Sequence, residues 1–273
     1  MGAAIGPSTE IDERGLWPRF GHPRVGAYMS TRQGGASTGG FTSFNLRPQI
    51  GDDEQAVAAN RLRLQGLVGR MSIRVDQVHG AQVHTVLPAH RQSPAETLPV
   101  ADALVSIQPG TACEIQVADC LPVLFADLGG RVVGAAHAGW RGLAGGVLEA
   151  CLARVCEQGG MAVDAVEAWL GPCIGPLRFE VGRDVLQAFG QDPSAPGVRF
   201  SAAPYAPAGP RWHADLAGLA RDRLQAAGVR RLGGNDGSPA WCTVGNPSRF
   251  FSYRRDHPTG RMAALIWLDD RGL

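Results

Sequence analysis

Cys120 follows an apolar run that ends at Val117, and His137 stands seventeen residues later, closing a second apolar run from Val132 to Ala136. A third residue, His79, sits in the turn-like sequence His79–Gly80–Ala81 between two short apolar alternations. Reactive side chains at the ends of buried strands, beside flexible turns, are where α/β proteins tend to place their chemistry. One thiolate and two neutral imidazoles match a catalytic zinc site with three protein ligands and an open fourth position. Such a site keeps a net charge of about +1, enough to acidify a bound water or attract phosphate. The same side chains leave other chemistries open. A His₂Cys set with a distant Met is the ligand type of a blue-copper site, although no Met lies close in sequence to these residues. A structural zinc would need a fourth ligand, and Cys113 sits at no recognisable finger spacing. Cys120 with His137 alone would make a nucleophile and base for acyl transfer or hydrolysis.

The elements that must position these residues are legible as apolar patterns. Val25–Ser30 reads as a strand feeding the glycine-rich loop Thr31–Gly40, whose plainest reading is a surface turn. Asp52 or Asp53 is a good N-cap for a helix carrying Ala56, Val57, Asn60, Arg61, Leu64 and Leu67 on one face. Arg61 on that stripe is either snorkelling along the surface or aimed at a cleft. Ile73–Val78 and Gln82–Leu87 alternate like the two arms of a hairpin with His79 at its turn. Pro88–Pro99 reads as an exposed loop with a solvated His90. Strands are expected over Ala103–Ile107, Glu114–Val117, Val123–Ala126, Val166–Leu170, Trp241–Val244 and Met262–Leu268. Helices are expected from Leu143 to Gly159, over Arg183–Phe189 and from Leu216 to Gly228. No repeat or linker divides the chain, which reads as a mixed α/β or α+β domain over residues 21–273 behind a flexible segment, 1–20.

Composition narrows the function classes. The 273 residues carry 26 basic and 25 acidic side chains, a formal charge of +1, so no electrostatic case exists for nucleic acid or an anionic membrane as partner. No apolar run approaches the roughly 20 residues of a membrane span. Six scattered cysteines in a chain this long do not form a secreted disulfide framework, and Met1–Arg14 lacks an apolar signal core. The expectation is a cytoplasmic protein in a reducing environment.

Eight strings then carry a resemblance: Ser30–Thr31–Arg32–Gln33–Gly34–Gly35, Gly51–Asp52–Asp53, Asn60–Arg61, Gln77–Val78–His79–Gly80, Ala118–Asp119–Cys120–Leu121–Pro122, Ala136–His137–Ala138–Gly139–Trp140–Arg141–Gly142, Leu170–Gly171–Pro172–Cys173–Ile174–Gly175 and Phe251–Ser252–Tyr253–Arg254–Arg255. Together, and in this order from Val25 to Leu268, they resemble the YfiH/laccase-domain family, whose members are called polyphenol oxidases or YfiH-like purine nucleoside phosphorylases. Only Met1–Gly21 and the Pro193–Pro210 loop lie outside the pattern. The resemblance implies a single-domain, layered α/β/β/α fold similar to the catalytic domain of a deamidating bacterial cytotoxin. It implies zinc at His79, Cys120 and His137, with copper as the alternative metal. It further implies phosphorolysis of adenosine, inosine, guanosine and S-methyl-5′-thioadenosine, with adenosine deamination beside it. Some relatives are described as copper-dependent phenol oxidases and others as editors of peptidoglycan precursors, which would make Cys120 the nucleophile of a hydrolase or amidase.

On the phosphorylase reading, His79, Cys120, His137 and Arg61 form the expected catalytic set, with Arg61 gripping phosphate through its bidentate fork. Asn45 and Arg254 join Arg61 as expected substrate contacts, because each is a polar residue inside a family motif. Deamination would draw on a metal-activated water, but the His-x-Glu and Pro-Cys-x-x-Cys pattern of other zinc deaminases is missing. Asp119 is a candidate proton carrier, with a supporting role for its neighbour Cys120 as the competing reading. Cys173 reads as a buried structural thiol, and His84 as a strand residue. Trp140 reads as a core cap that could also wall the pocket. The expected partners are small purine nucleosides and phosphate, and the expected state is a monomer.

Overall fold

The structure is a computed structural model that describes residues 6–87, 98–204 and 209–270. Elements are numbered in chain order. One six-stranded sheet runs β1 (Ser8–Asp12), β2 (Gly15–Arg19), β3 (Val25–Met29), β15 (Met262–Leu268), β7 (Thr111–Val117) and β4 (Met71–Ile73). Its pairs are antiparallel except for β4 on β7. A second six-stranded sheet runs β14 (Arg231–Gly234), β10 (Val166–Leu170), β8 (Leu121–Asp127), β9 (Val133–Ala138), β6 (Ala103–Ser106) and β5 (Val83–Thr85). Both of its edge strands pair in parallel. A small third sheet joins β11 (Glu180–Val181), β13 (Trp212–Ala214) and β12 (Phe200–Ala202). The helices are α1 (Glu54–Val68), α2 (Trp140–Ala144), α3 (Val147–Gly159), α4 (Arg183–Ala188) and α5 (Leu216–Ala226).

Strand alternation turns these elements into four layers, α/β/β/α. Cys113, Ile115 and Val117 of β7 face Leu124, Val133 and Ala135 of the second sheet, which makes the inter-sheet core. The opposite faces of β8 and β9, with Val123, Phe125 and Ala136, pack on α3 and α5 through Leu148, Val155, Ala220 and Leu224. On the far side of the first sheet, Ala112, Ala263 and Leu265 meet Leu64 and Val68 of α1. Both six-stranded sheets are therefore covered on both faces, which is why β6 to β9 and β15 are buried along their whole length.

Helix α1 begins where expected, with the Asp53 carboxylate accepting from the Ala56 amide at 2.7 Å, and Gly69 ends it in the left-handed conformation at φ 66°. Asn60, in the middle of its buried stripe, binds the glycine-rich loop: its Nδ2 donates to Ser37 Oγ, Ser43 O and Asn45 O, and its Oδ1 accepts from Ala36 N.

Three expectations are corrected. Residues 8–19 are not a flexible segment but a hairpin, β1 with β2, added to the edge of the first sheet. The two alternations around His79 are not a hairpin either, because β4 pairs with β7 in one sheet and β5 with β6 in the other. The chain crosses between sheets at His79, and local alternation carries no information about which sheet receives each arm. Trp241–Val244 is not a strand; a short 3₁₀ turn, Pro239–Trp241, leads to a single parallel bridge between Cys173 and Cys242. Within the expected Pro193–Pro210 loop, Phe200–Ala202 forms β12. His90 and most of the expected Pro88–Pro99 loop lie outside the described residues.

Candidate active site

The two sheets open at one end, where β7 finishes, β8 starts, β9 finishes and the chain enters β15. Cys120 immediately precedes β8, and His137 lies near the end of β9 on the same face as Val133 and Ala135. His79 arrives from the crossover between sheets in the left-handed region, at φ 64°. One ligand atom from each of the three lies within 4.8 Å of the others, and the two imidazole rings stand 4.9 Å apart, edge to face. The structure thus brings together the three residues marked by sequence position.

A fourth residue holds them there. Asp102, fully buried just ahead of β6, accepts from the backbone amides of Val78 at 3.2 Å, His79 at 2.9 Å and Gly80 at 2.6 Å. The same carboxylate binds His137 Nδ1 at 2.8 Å. It therefore fixes the unusual backbone at His79 and leaves Nε2 of His137 as the nitrogen facing Cys120. Carboxylate–histidine pairs of this kind set the orientation of metal-ligating imidazoles. Burial pushes the His137 imidazole down, but the Cys120 thiolate and the Asp102 carboxylate override it and raise it to about 9. Burial likewise pushes the Cys120 thiol up, and the His137 charge with hydrogen bonds from both histidines brings it down to about 6. Each group thus favours the charged form of the other.

The donor set fits a metal ion: two imidazoles and a thiolate converge on one space with the outer hydrogen bond of His137 already made. Two glycines keep that space open. A Cβ at Gly139 would come within 2.9 Å of Cys120 Sγ and 3.0 Å of His79 Cδ2, and one at Gly142 within 2.8 Å of the Gly80 carbonyl oxygen.

The triad forms one end of a cavity of about 570 Å³, within the range of small-molecule sites. Trp140, Phe179 and Tyr253 give it aromatic walls, and Arg47, Arg141, Arg254 and Arg261 line it with positive charge. Its one lining carboxylate, Asp119, is fully engaged. Thr243 Oγ1, Ser252 Oγ and the Arg254 amide all donate to it, so it anchors the 243–254 segment and is not a free proton carrier. Arg254 lines the cavity as expected, its guanidinium 5.7 Å from the Phe179 ring and its Nη1 donating to the Glu180 carbonyl. Trp140 both walls the cavity and packs on the helical core. Cys173 is buried, with its thiol pushed well up by burial.

Two expected substrate contacts lie elsewhere. Arg61 is not among the cavity residues; its fork makes two 3.0 Å hydrogen bonds to the buried Glu114 carboxylate, which also accepts from Ser72 Oγ. The second-layer position of Glu114 on the α1 face of β7 claims the arginine, so Arg61 stabilises the helix–sheet contact and its phosphate-gripping fork is taken. Asn45 is fully buried and hydrogen-bonded through its side chain to Arg47, Asp52 and Arg261, so it contacts neighbouring chain segments and not the cavity. Sequence reasoning missed Asp102, Arg47 and Arg261. The available signal for Asp102 was an acid set between Ala101 and the apolar start of β6, a position that demands a buried partner.

Residues 26–269 match the family model described as multi-copper polyphenol oxidoreductase laccase. The chain belongs to this laccase-like family. Within it, a protein of Pseudomonas aeruginosa named purine nucleoside phosphorylase is 45% identical over 254 residues, 93% of this chain and 97% of that one. The Escherichia coli purine nucleoside phosphorylase YfiH is 42% identical, over 92% of this chain and 97% of its own. Two solved structures share the fold. A Neisseria meningitidis protein superposes with a TM-score of 0.82 at 40% identity, covering 94% of this chain and all (100%) of that one. YlmD from Geobacillus stearothermophilus gives 0.83 at 31% identity, covering 96% and 99%. The mixed α/β architecture is thus that of the family. Among the described residues, no helix is long and apolar enough to cross a membrane.

Proposed function

We propose that this protein is a zinc-dependent purine nucleoside phosphorylase. It takes adenosine, inosine, guanosine or S-methyl-5′-thioadenosine with phosphate to the free base and the (thio)ribose 1-phosphate, with adenosine deamination as a side activity. The observation that carries the reading is the composition of one cavity: an open His₂Cys donor set at one end, arginines around it, and aromatic walls of a size that suits a nucleoside. The names of the relatives point the same way.

Phosphorolysis replaces the C1′–N9 bond of the nucleoside with a C1′–O bond to phosphate, through a transition state with positive charge on the sugar. Zinc held by His79, Cys120 and His137 would supply Lewis-acid charge for an oxygen of phosphate or ribose. The chain's own residues do the rest. The arginines hold the phosphate dianion against the sugar, which both concentrates the nucleophile and stabilises the developing cation. Trp140, Phe179 and Tyr253 cover the purine and keep water from competing with phosphate. Asp102 keeps His137 turned toward the donor set throughout.

A second reading rests on the Cys120–His137–Asp102 chain, which has the composition of a thiol hydrolase and would suit an amidase acting on peptidoglycan precursors. Zinc removal separates the two, since a ligand thiolate loses activity on chelation and a nucleophilic thiolate gains it. Copper-dependent phenol oxidation has less support, because among the described residues no Met lines the cavity to complete a copper site of the His₂Cys type. Incubation with adenosine and phosphate, with adenine, ribose 1-phosphate and inosine quantified, tests the first reading; its failure is the absence of all three products with zinc bound.

A further inference from the structure

Four arginines line the cavity: Arg47, Arg141, Arg254 and Arg261. Arg141 lies over the Trp140 ring at 4.3 Å, and Arg254 is tied to the Glu180 carbonyl over Phe179. Arg261 lies over the Tyr253 ring at 5.5 Å, and none of the four takes part in an ion pair among the described residues. Arg261 Nη1 donates to the Thr259 and Gly260 carbonyls at 2.8 and 3.1 Å, which steadies the side chain, while its Nε and Nη2 make no hydrogen bond to the described residues. The side chain of Arg47 makes none either. Burial and the neighbouring Arg47 charge both push the Arg261 guanidinium below its ordinary value, with Cys120 and Asp119 pulling the other way. Arg261 therefore stands within electrostatic reach of Arg47 and of the metal-ligand triad.

A dedicated side chain holds the backbones of these two arginines side by side. Asn45 Oδ1 accepts from the backbone amides of both Arg47, at 3.1 Å, and Arg261, at 2.9 Å. Its Nδ2 returns a bond to the Arg47 carbonyl at 3.1 Å and another to Asp52 at 2.8 Å. The Leu46 amide adds a bond to the Arg261 carbonyl at 3.1 Å. One buried amide thus clamps two arginines that are far apart in sequence, and both side chains line the same cavity. Placing two guanidiniums in one cavity with no ion-pair partner among the described residues is electrostatically unfavourable, and a dianion accepting from both planar forks offsets that cost.

We propose that Arg47 and Arg261 form the oxyanion subsite of this cavity, where inorganic phosphate docks beside His79, Cys120 and His137, and that Asn45 is the residue that positions the pair. The assignment deepens the phosphorylase reading and rests on it for the identity of the anion as co-substrate. It also gives the phosphate-binding role to residues other than Arg61.

The test uses the full-length zinc-loaded protein with Arg47→Gln, Arg261→Gln and Asn45→Ala. Phosphate binding is measured at equilibrium by calorimetry, and KM is measured separately for phosphate and for adenosine. Losing one charge-assisted contact corresponds to about a 10- to 100-fold loss in affinity. Each arginine variant is expected to weaken phosphate binding and raise the phosphate KM by that factor, with adenosine KM and zinc content unchanged. Asn45→Ala is expected to raise the phosphate KM alone; lower thermal stability with an unaltered phosphate KM would assign it to folding only and overturn its positioning role. Wild-type protein that fails to bind phosphate, or arginine variants that bind it as tightly, overturn the subsite. Phosphate binding that depends on Arg47 and Arg261 in a protein that makes no ribose 1-phosphate upholds the subsite and overturns the phosphorylase reading instead.

Discussion

Asp102→Asn is the substitution that probes the candidate metal site most sharply while leaving His79, Cys120 and His137 in place. The replacement is isosteric, so the effect is one of hydrogen-bond polarity. Asp102 Oδ1 accepts from His79 N and His137 Nδ1, and Oδ2 accepts from Val78 N and Gly80 N. An amide group has one acceptor end. If its NH₂ takes the Oδ2 position, it faces two backbone N–H groups. If it takes the Oδ1 position, it faces His79 N and obliges His137 to accept at Nδ1, which moves the ring proton to Nε2, the atom needed for a metal. In the first arrangement two buried hydrogen bonds to a charged acceptor are lost, at about 1.5–3 kcal/mol each, so a stability loss of about 3–6 kcal/mol is expected. Zinc affinity should fall about 10- to 100-fold, the usual consequence of removing the partner of a metal-bound histidine. Urea unfolding of the metal-free protein and competition with a chromophoric chelator give the two quantities separately. A variant with wild-type zinc affinity would refute the claim that Asp102 organises the ligands, whatever its stability.

Three further outcomes follow from the same geometry. In the metal-free protein the depressed Cys120 thiol contributes stability that is complete above its ordinary value of 9.0 and is lost as pH falls through about 6; the raised His137 contributes stability complete below 6.5 and lost as pH rises through about 9. Between those limits zinc uptake should displace one proton from this pair, and below about pH 6 two, so calorimetry in buffers of different ionisation enthalpy should show the apparent affinity falling more steeply on the acid side. Gly139→Ala places a methyl 2.9 Å from Cys120 Sγ at an ordinary φ of −66°, so crowding alone should cost about 1–3 kcal/mol and weaken zinc binding; chelator competition that shows no change would mean the site has room to spare. Arg61→Met leaves the buried Glu114 without its ion-pair partner, with Ser72 and Gln116 as remaining donors and Arg74 as a nearby charge, and a loss of about 3–5 kcal/mol in urea unfolding is expected with phosphate KM unchanged. A raised phosphate KM in a stable Arg61→Met protein would restore Arg61 to the cavity.

The ligand triad was legible because each member closes a buried run or sits at a turn, and the strands that carry Cys120 and His137 announce themselves as continuous apolar segments. A mixed α/β domain was legible from alternation and from the Asp53 cap of α1, while the layering came only with the family resemblance. What surrounded the triad was not, for a reason common to each miss: it depends on pairings distant in sequence. The stripe on α1 identified the face of Arg61 correctly, but its partner, Glu114, sits in a strand 53 residues away. An acid inside the fully buried Thr111–Val117 strand is what required a cation to meet it. Asn45 and Arg254 were picked as polar residues within motifs, and one proved to hold backbone while the other reaches the cavity. Arg47 and Arg261 carry no local signature, because their meaning arises only when Asn45 brings the two segments side by side. The hairpin read around His79 failed because the two arms join different sheets, and that crossing is what carries His79 to the site.

The most direct test of the account is the product analysis of the purified, zinc-loaded protein given adenosine and inorganic phosphate. Adenine and ribose 1-phosphate are expected, with ribose 1-phosphate equal to the sum of adenine and hypoxanthine, both lost on chelation and regained when zinc is restored. Protein that retains its zinc yet yields neither product, or that consumes oxygen on phenols with copper at full occupancy, would contradict the account.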